Sequence, residues 1–169
     1  NDLTLTYHGD ASSPYGRSAT AHRQDFSSIV LHHNAPKLST DWLIQYQIDG
    51  DAARGGHFGY HFYIAPNGAI FQGAPMNKRT NHIKPPTHAQ REPFGRIASN
   101  SSSIGITCVK AAPHYSPTAA QIASQDKLVQ ALAGAYGFSL TSVFGHGEIQ
   151  SDRDHREGTS QAQKIRGWA

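Results

Sequence analysis

The chain is short of cysteine, of long apolar runs and of clustered basic residues, and each shortage closes off a class of protein. Among its 169 residues only Cys108 is a cysteine, so no disulfide framework holds the fold, which must stand in any redox compartment. Cys108 lies within Ile104-Gly105-Ile106-Thr107-Cys108-Val109 and reads as a buried strand thiol rather than a nucleophile. No stretch approaches the roughly 18 apolar residues that a membrane span needs, which argues against membrane insertion. The first residues, Asn1-Asp2-Leu3-Thr4, lack the basic and then apolar pattern of a signal peptide and leave the route of export open. No Lys/Arg run with interleaved aromatics is present, so nucleic-acid binding ranks last among the function classes. A net charge of +3 and a pI near 9.1 give only a mild attraction to polyanions.

What is present fits one globular domain. Hydrophobic residues make up 37% of the chain and its mean hydropathy is -0.53, and its length can bury a core without staples. Eleven histidines are many for this size and direct attention to metal binding. Two apolar runs end in histidine: Ser27-Ser28-Ile29-Val30-Leu31-His32-His33-Asn34 and Ser142-Val143-Phe144-Gly145-His146-Gly147-Glu148. Both read as buried strands. Side by side, they would bring His32 and His146 to one sheet edge, where two neutral imidazoles can hold zinc.

The rest of the chain frames that pair. Residues 1–26 are polar and read as an N-terminal arm laid over the surface, with the domain proper at 27–169. A helix is expected through Trp42–Ile48, capped by Ser39 or Thr40. Phe58–Ile64 and Ala69–Gly73, joined by Asn67-Gly68, carry a strong hairpin signal. Residues 74–101 hold four prolines and little periodicity, and a long loop of this kind usually serves binding. A strand over Ser103–Val109 follows, then a helix from Pro117 to Tyr136, with Ser116 as cap, Gly137 past its end, and Ile122, Val129, Leu132 and Tyr136 on one stripe. A strand over Leu140–Phe144 leads to His146 and the charged loop 150–158. The tail from Thr159 reads as a short helix anchored by Ile165 and Trp168.

In order, Ile29-Val30-Leu31-His32-His33, Gly59-Tyr60-His61-Phe62-Tyr63-Ile64 with Asn67-Gly68, Asn81-His82, Ser103-Ile104-Gly105-Ile106 and Gly145-His146-Gly147-Glu148 resemble the zinc N-acetylmuramoyl-L-alanine amidases. That group includes phage lysozyme-like amidases and peptidoglycan recognition proteins. The resemblance spans about residues 27–158. It implies an α/β fold, a single domain with a central mixed β-sheet flanked by α-helices and a zinc site at the sheet edge. It also implies cleavage of the amide between the lactyl group of N-acetylmuramic acid and L-alanine.

Carried over by position, the resemblance makes His32 and His146 zinc ligands and turns His33 to the opposite face. Several relatives place a third ligand eight residues after the second histidine, which here is Asp154, with Asp152 as the alternate and His155 also open. Tyr60 takes the place of the active-site tyrosine, Arg153 that of a basic oxyanion-stabilising group, and His82 that of a substrate-groove histidine. Glu148 is a candidate to hold a ligand histidine, and Asn81 and Asn100 to bond substrate amides. Many relatives carry glutamate where this chain has Thr107, which moves the expected acid/base work to Tyr60 and the loop after His146.

The expected partner is peptidoglycan or a soluble muropeptide, and the expected state a monomer. Action is expected in the bacterial cell wall or periplasm, by secretion or by phage or toxin delivery. The rival from another class is a peptidoglycan-binding module of the same fold without catalysis. A zinc hydrolase of a different amide is the third reading.

Overall fold

A computed structural model describes residues 5–7, 26–34, 59–74, 76, 79–84, 98–109, 116–150, 154 and 156–169. The helix expected over 42–48, and Asp152, Arg153 and His155, lie outside these residues.

The strands are β1 (Leu5–Tyr7), β2 (Ser28–Asn34), β3 (Phe62–Ile64), β4 (Ile70–Gln72), β5 (Ser103–Val109) and β6 (Val143–Gly145). They form one mixed sheet in the order β1-β4-β3-β5-β2-β6. Among the described residues only β3 and β4 pair antiparallel, through the expected hairpin, with Ile64 opposite Ile70. Ala65 N–H donates to Ala69 O and Gly68 N–H to Ala65 O to close its turn. Within the stretch expected as an N-terminal arm, Leu5–Tyr7 forms a strand at the end of the sheet, paired with β4.

Helices α1 (Ala119–Tyr136), α2 (His146–Ile149) and α3 (Thr159–Arg166) complete the described fold. Alternation along β2 decides which layer each residue joins. Ile29 and Leu31 pack with Ile104, Ile106, Leu128, Val129, Leu132 and Ile165 in the core between the sheet and helices α1 and α3. Full burial of each such side chain contributes about 1.5–3 kcal/mol. Val30, on the other face, packs with Ile83, Ala98, Phe144 and Ile149. This is the face that carries His32.

Helix α1 begins two residues later than the expected Pro117, because a reciprocal cap decides its start. Gln121 N–H donates to Thr118 Oγ1 while Thr118 N–H donates to Gln121 Oε1. Gly137 closes it, as expected. Its buried stripe also differs from the apolar one: Gln121 and Gln125 point inward, while Ile122 and Tyr136 are half-buried. The Gln121 amide donates to Ile64 O at 2.8 Å and Val109 O at 2.7 Å, joining the ends of β3 and β5. The expected strand over Leu140–Phe144 splits into a 3-10 turn (Leu140–Ser142) and β6. Ile165 anchors α3, but Trp168 is 42% exposed with the Lys164 ammonium over its ring. No helix among the described residues is long and apolar enough to cross a membrane.

Candidate metal centre

Strand β2 runs parallel to β6 with Leu31 opposite Gly145, so the next residue of each chain segment is a histidine at the same edge. His32 Nδ1 lies 2.9 Å from His146 Nδ1, and both rings are buried. This edge is the carboxyl end of parallel strands, where open α/β sheets place ligands. Glu157 supplies the third donor: its Oε1 lies 3.0 Å from His146 Nδ1 and 3.5 Å from His32 Nδ1. Burial pushes the Glu157 carboxyl up, whereas hydrogen bonds and charge from His146 and His32, when those rings carry protons on the nitrogens that face it, pull it well below the usual carboxylate range.

The three donors suit a small tetrahedral cation. Zinc at about 2.0–2.1 Å from each ligand spaces the ligand atoms about 3.3 Å apart. The observed edges of 2.9, 3.0 and 3.5 Å bracket that value. Among the described residues this is also the group of histidine and carboxylate side chains that converges closely enough to hold a metal ion.

Glu157 reaches the site because the loop after α2 folds back on itself. Gly147 N–H donates to Glu157 O at 2.9 Å and Glu157 N–H to Asp154 O at 2.9 Å. Gly158 then turns the chain into α3 with φ of 73°, and a side chain there would collide with the carbonyl of Leu31. Only glycine satisfies both conditions. Glu157 therefore sits where the backbone is pressed against β2.

The chain matches the family described as N-acetylmuramoyl-L-alanine amidase over residues 22–159. The chain belongs to that family. No curated protein matches it in sequence. Among solved structures it is similar to the N-acetylmuramoyl-L-alanine amidase LysC from Clostridium intestinale URNW, with 19% identity, 99% of this chain and 97% of that one covered, and a TM-score of 0.65. It is similar to a mutant endolysin from Bacillus subtilis, with 15% identity, 98% of each chain covered and a TM-score of 0.70. It is also similar to the complex of peptidoglycan recognition proteins LCa and LCx with tracheal cytotoxin, with 16% identity, 98% and 96% covered and a TM-score of 0.69. These likenesses bear on the fold, which is the expected amidase-type one.

Within the amidase fold, the expected site residues separate into three groups. His32, His146 and Tyr60 come together, the Tyr60 ring centroid lying 4.9 Å from that of His32. Asp154 does not join them. It is exposed, and its two oxygens accept from Arg156 Nη2 at 2.8 Å and Nε at 3.1 Å, which holds the carboxyl down to about 2. His82 lies behind His32 rather than in an open groove. It is 5% exposed, with Nδ1 at 2.9 Å from His32 Nε2 and Nε2 at 3.3 Å from Ser103 O. Burial, and then the neighbouring imidazoles of His32, His61 and His146, push its pKa well down.

Two further expectations shift. Glu148 holds no histidine; it accepts from Gly145 N–H at 2.8 Å and from both terminal nitrogens of Arg166. Asn100 ties down the His82 loop, its Oδ1 accepting from His82 and Ile83 N–H. Glu157 went unread because the family spacing points to position 154. The available signal was Gly158 beside it, a glycine at the start of a helix.

Proposed function

We propose that this protein is a zinc-dependent hydrolase of peptidoglycan that cuts the amide between the N-acetylmuramic acid lactyl group and L-alanine. The observation that carries this reading is the convergence of His32 Nδ1, His146 Nδ1 and Glu157 Oε1 in an amidase-family chain. Those three residues are the proposed ligands. Bound there, zinc supplies a Lewis acid and brings the pKa of water towards about 7. The Tyr60 phenol, beside His32, is the proposed donor to the developing oxyanion or the leaving amine. Arg153, in the loop between His146 and Glu157, is proposed for the oxyanion on sequence grounds. The site of action is the bacterial wall or periplasm.

The test is zinc content together with release of new L-alanine amino termini from purified walls and from soluble muropeptides. About one zinc per chain with amine release on either substrate supports the hydrolase. Zinc-loaded protein that releases none overturns it. The second reading is a non-hydrolysing peptidoglycan-binding module, favoured by the likeness to the recognition proteins solved with tracheal cytotoxin. Retention on walls without turnover would select it.

A further inference from the structure

We propose that His82 is a positioning residue that fixes His32 in the tautomer required of a metal ligand. The proposal rests on the zinc reading above. It follows from where single protons sit along a chain of three residues.

Ser103 stands at the start of the chain. Its Oγ donates to Ser99 O at 2.5 Å, so the same oxygen faces His82 as an acceptor, 3.2 Å from Nε2. The Ser103 carbonyl, 3.3 Å from that nitrogen, is an acceptor in any state. Two acceptors require that His82 Nε2 carries the proton. In a neutral ring Nδ1 is then bare, and it lies 2.9 Å from His32 Nε2, which must donate to it. With its proton committed there, His32 presents a bare Nδ1 towards His146 and Glu157. Only the bare nitrogen can bind a metal.

The backbone holds His82 in this place. Gly105 passes so close under the ring that a Cβ there would lie 2.8 Å from His82 Cγ. Asn100 grips the loop from the other side through the two N–H groups it accepts and through its own amide, which donates to Ile83 O at 2.6 Å. His146 has a counterpart in Gln150. Lys84 N–H donates to Gln150 Oε1 at 3.2 Å, marking that oxygen as the one facing His146 Nε2, so this ring too carries its proton away from the metal position.

Two substitutions separate the hydrogen bond from packing. His82→Leu keeps bulk against Gly105 but removes the acceptor. His82→Asn loses bulk but can offer Oδ1 where Nδ1 stood. Zinc dissociation constants are measured for both by competition with a chromophoric chelator, with thermal midpoints of the metal-free proteins alongside. The expected result is zinc binding about 10–100-fold weaker in His82→Leu, the range for loss of a ligand-orienting partner, and near wild type in His82→Asn. The reverse order, or both variants at the wild-type value, overturns the positioning role and leaves the hydrolase reading intact. Wild type with no measurable zinc affinity overturns both. Should His82→Leu not fold, His82→Ala takes its place as the variant without the acceptor: zinc binding about tenfold or more weaker than in His82→Asn supports the role, and equal affinity in the two overturns it.

Discussion

Glu157 Oε1 lies 3.0 Å from His146 Nδ1 although the two residues are 11 apart in sequence and separated by a charged loop. The Gly147–Glu157 backbone bond and the left-handed Gly158 fold that loop so that Glu157, rather than Asp154, meets the histidines. The proposed third ligand is thus set by where the chain is pinned to the sheet.

The first prediction separates the carboxylates. Glu157→Gln keeps the side chain's size and should weaken zinc binding by about 100-fold or more, since each ligand carries a large share of the roughly 10–16 kcal/mol of a full site. Amine release from peptidoglycan should fall with it. Asp154→Asn, which breaks only an exposed pair with Arg156, should leave both at wild-type values. Asp152→Asn completes the series. Zinc titration of the three proteins checks the assignment, and metal loss in Asp154→Asn alone would return the third ligand to the position expected from family spacing.

A second prediction concerns the clasp beneath His146. Arg166 on α3 donates to both oxygens of Glu148, at 2.7 and 2.9 Å, and to Val143 O at 2.8 Å. Glu148 also receives Gly145 N–H. Glu148→Ala strands a largely buried guanidinium and an amide, so we expect a loss of about 3–5 kcal/mol in urea unfolding. Because Gly145 precedes His146, zinc affinity should drop in the same variant even where it remains folded.

How much of this was legible depends on whether a residue's role is local. Strands β2, β5 and β6 announce themselves as apolar runs because both their faces are covered, and the Asn67-Gly68 turn carries its own signal. The His32/His146 pair followed from two runs with the same ending. Hydropathy could not place Gln121 and Gln125 inside, since their burial depends on the open carbonyls of β3 and β5 and on the Cys108 thiol. Nor could spacing find Glu157 or turn His82 inward. Those positions are set by contacts of Gly158 with Leu31 and of Gly105 with His82, between residues distant in sequence.

The third prediction uses pH. Burial pushes the Cys108 thiol up to about 12 from an ordinary value near 9.0. A raised acid pKa means that the folded state keeps its proton where the unfolded chain loses it. The stabilisation is therefore complete below about pH 9 and declines as pH rises from there towards about 12. Cys108→Ala should flatten this alkaline limb in denaturation measured against pH. In native wild type at pH 8, Cys108 should react with a thiol reagent only as fast as the chain opens. Immediate labelling without denaturant would contradict its burial.

The last prediction concerns Thr107, which stands opposite His32 in the parallel register of β2 and β5. Its Oγ1 is buried and has no hydrogen-bond partner. An orphaned buried hydroxyl costs about 1–3 kcal/mol, and valine has the same shape without it. Thr107→Val should then raise stability by about 1 kcal/mol, or the thermal midpoint by about 2–4 °C in a chain of this size. Many amidases carry glutamate at this strand position, so the variant also asks where proton handling resides. A stabilised variant with wild-type turnover places that work on Tyr60 and the loop after His146. A folded variant with a lower midpoint or slower turnover means that the hydroxyl meets water or substrate in the working enzyme, and that this position still contributes to the reaction.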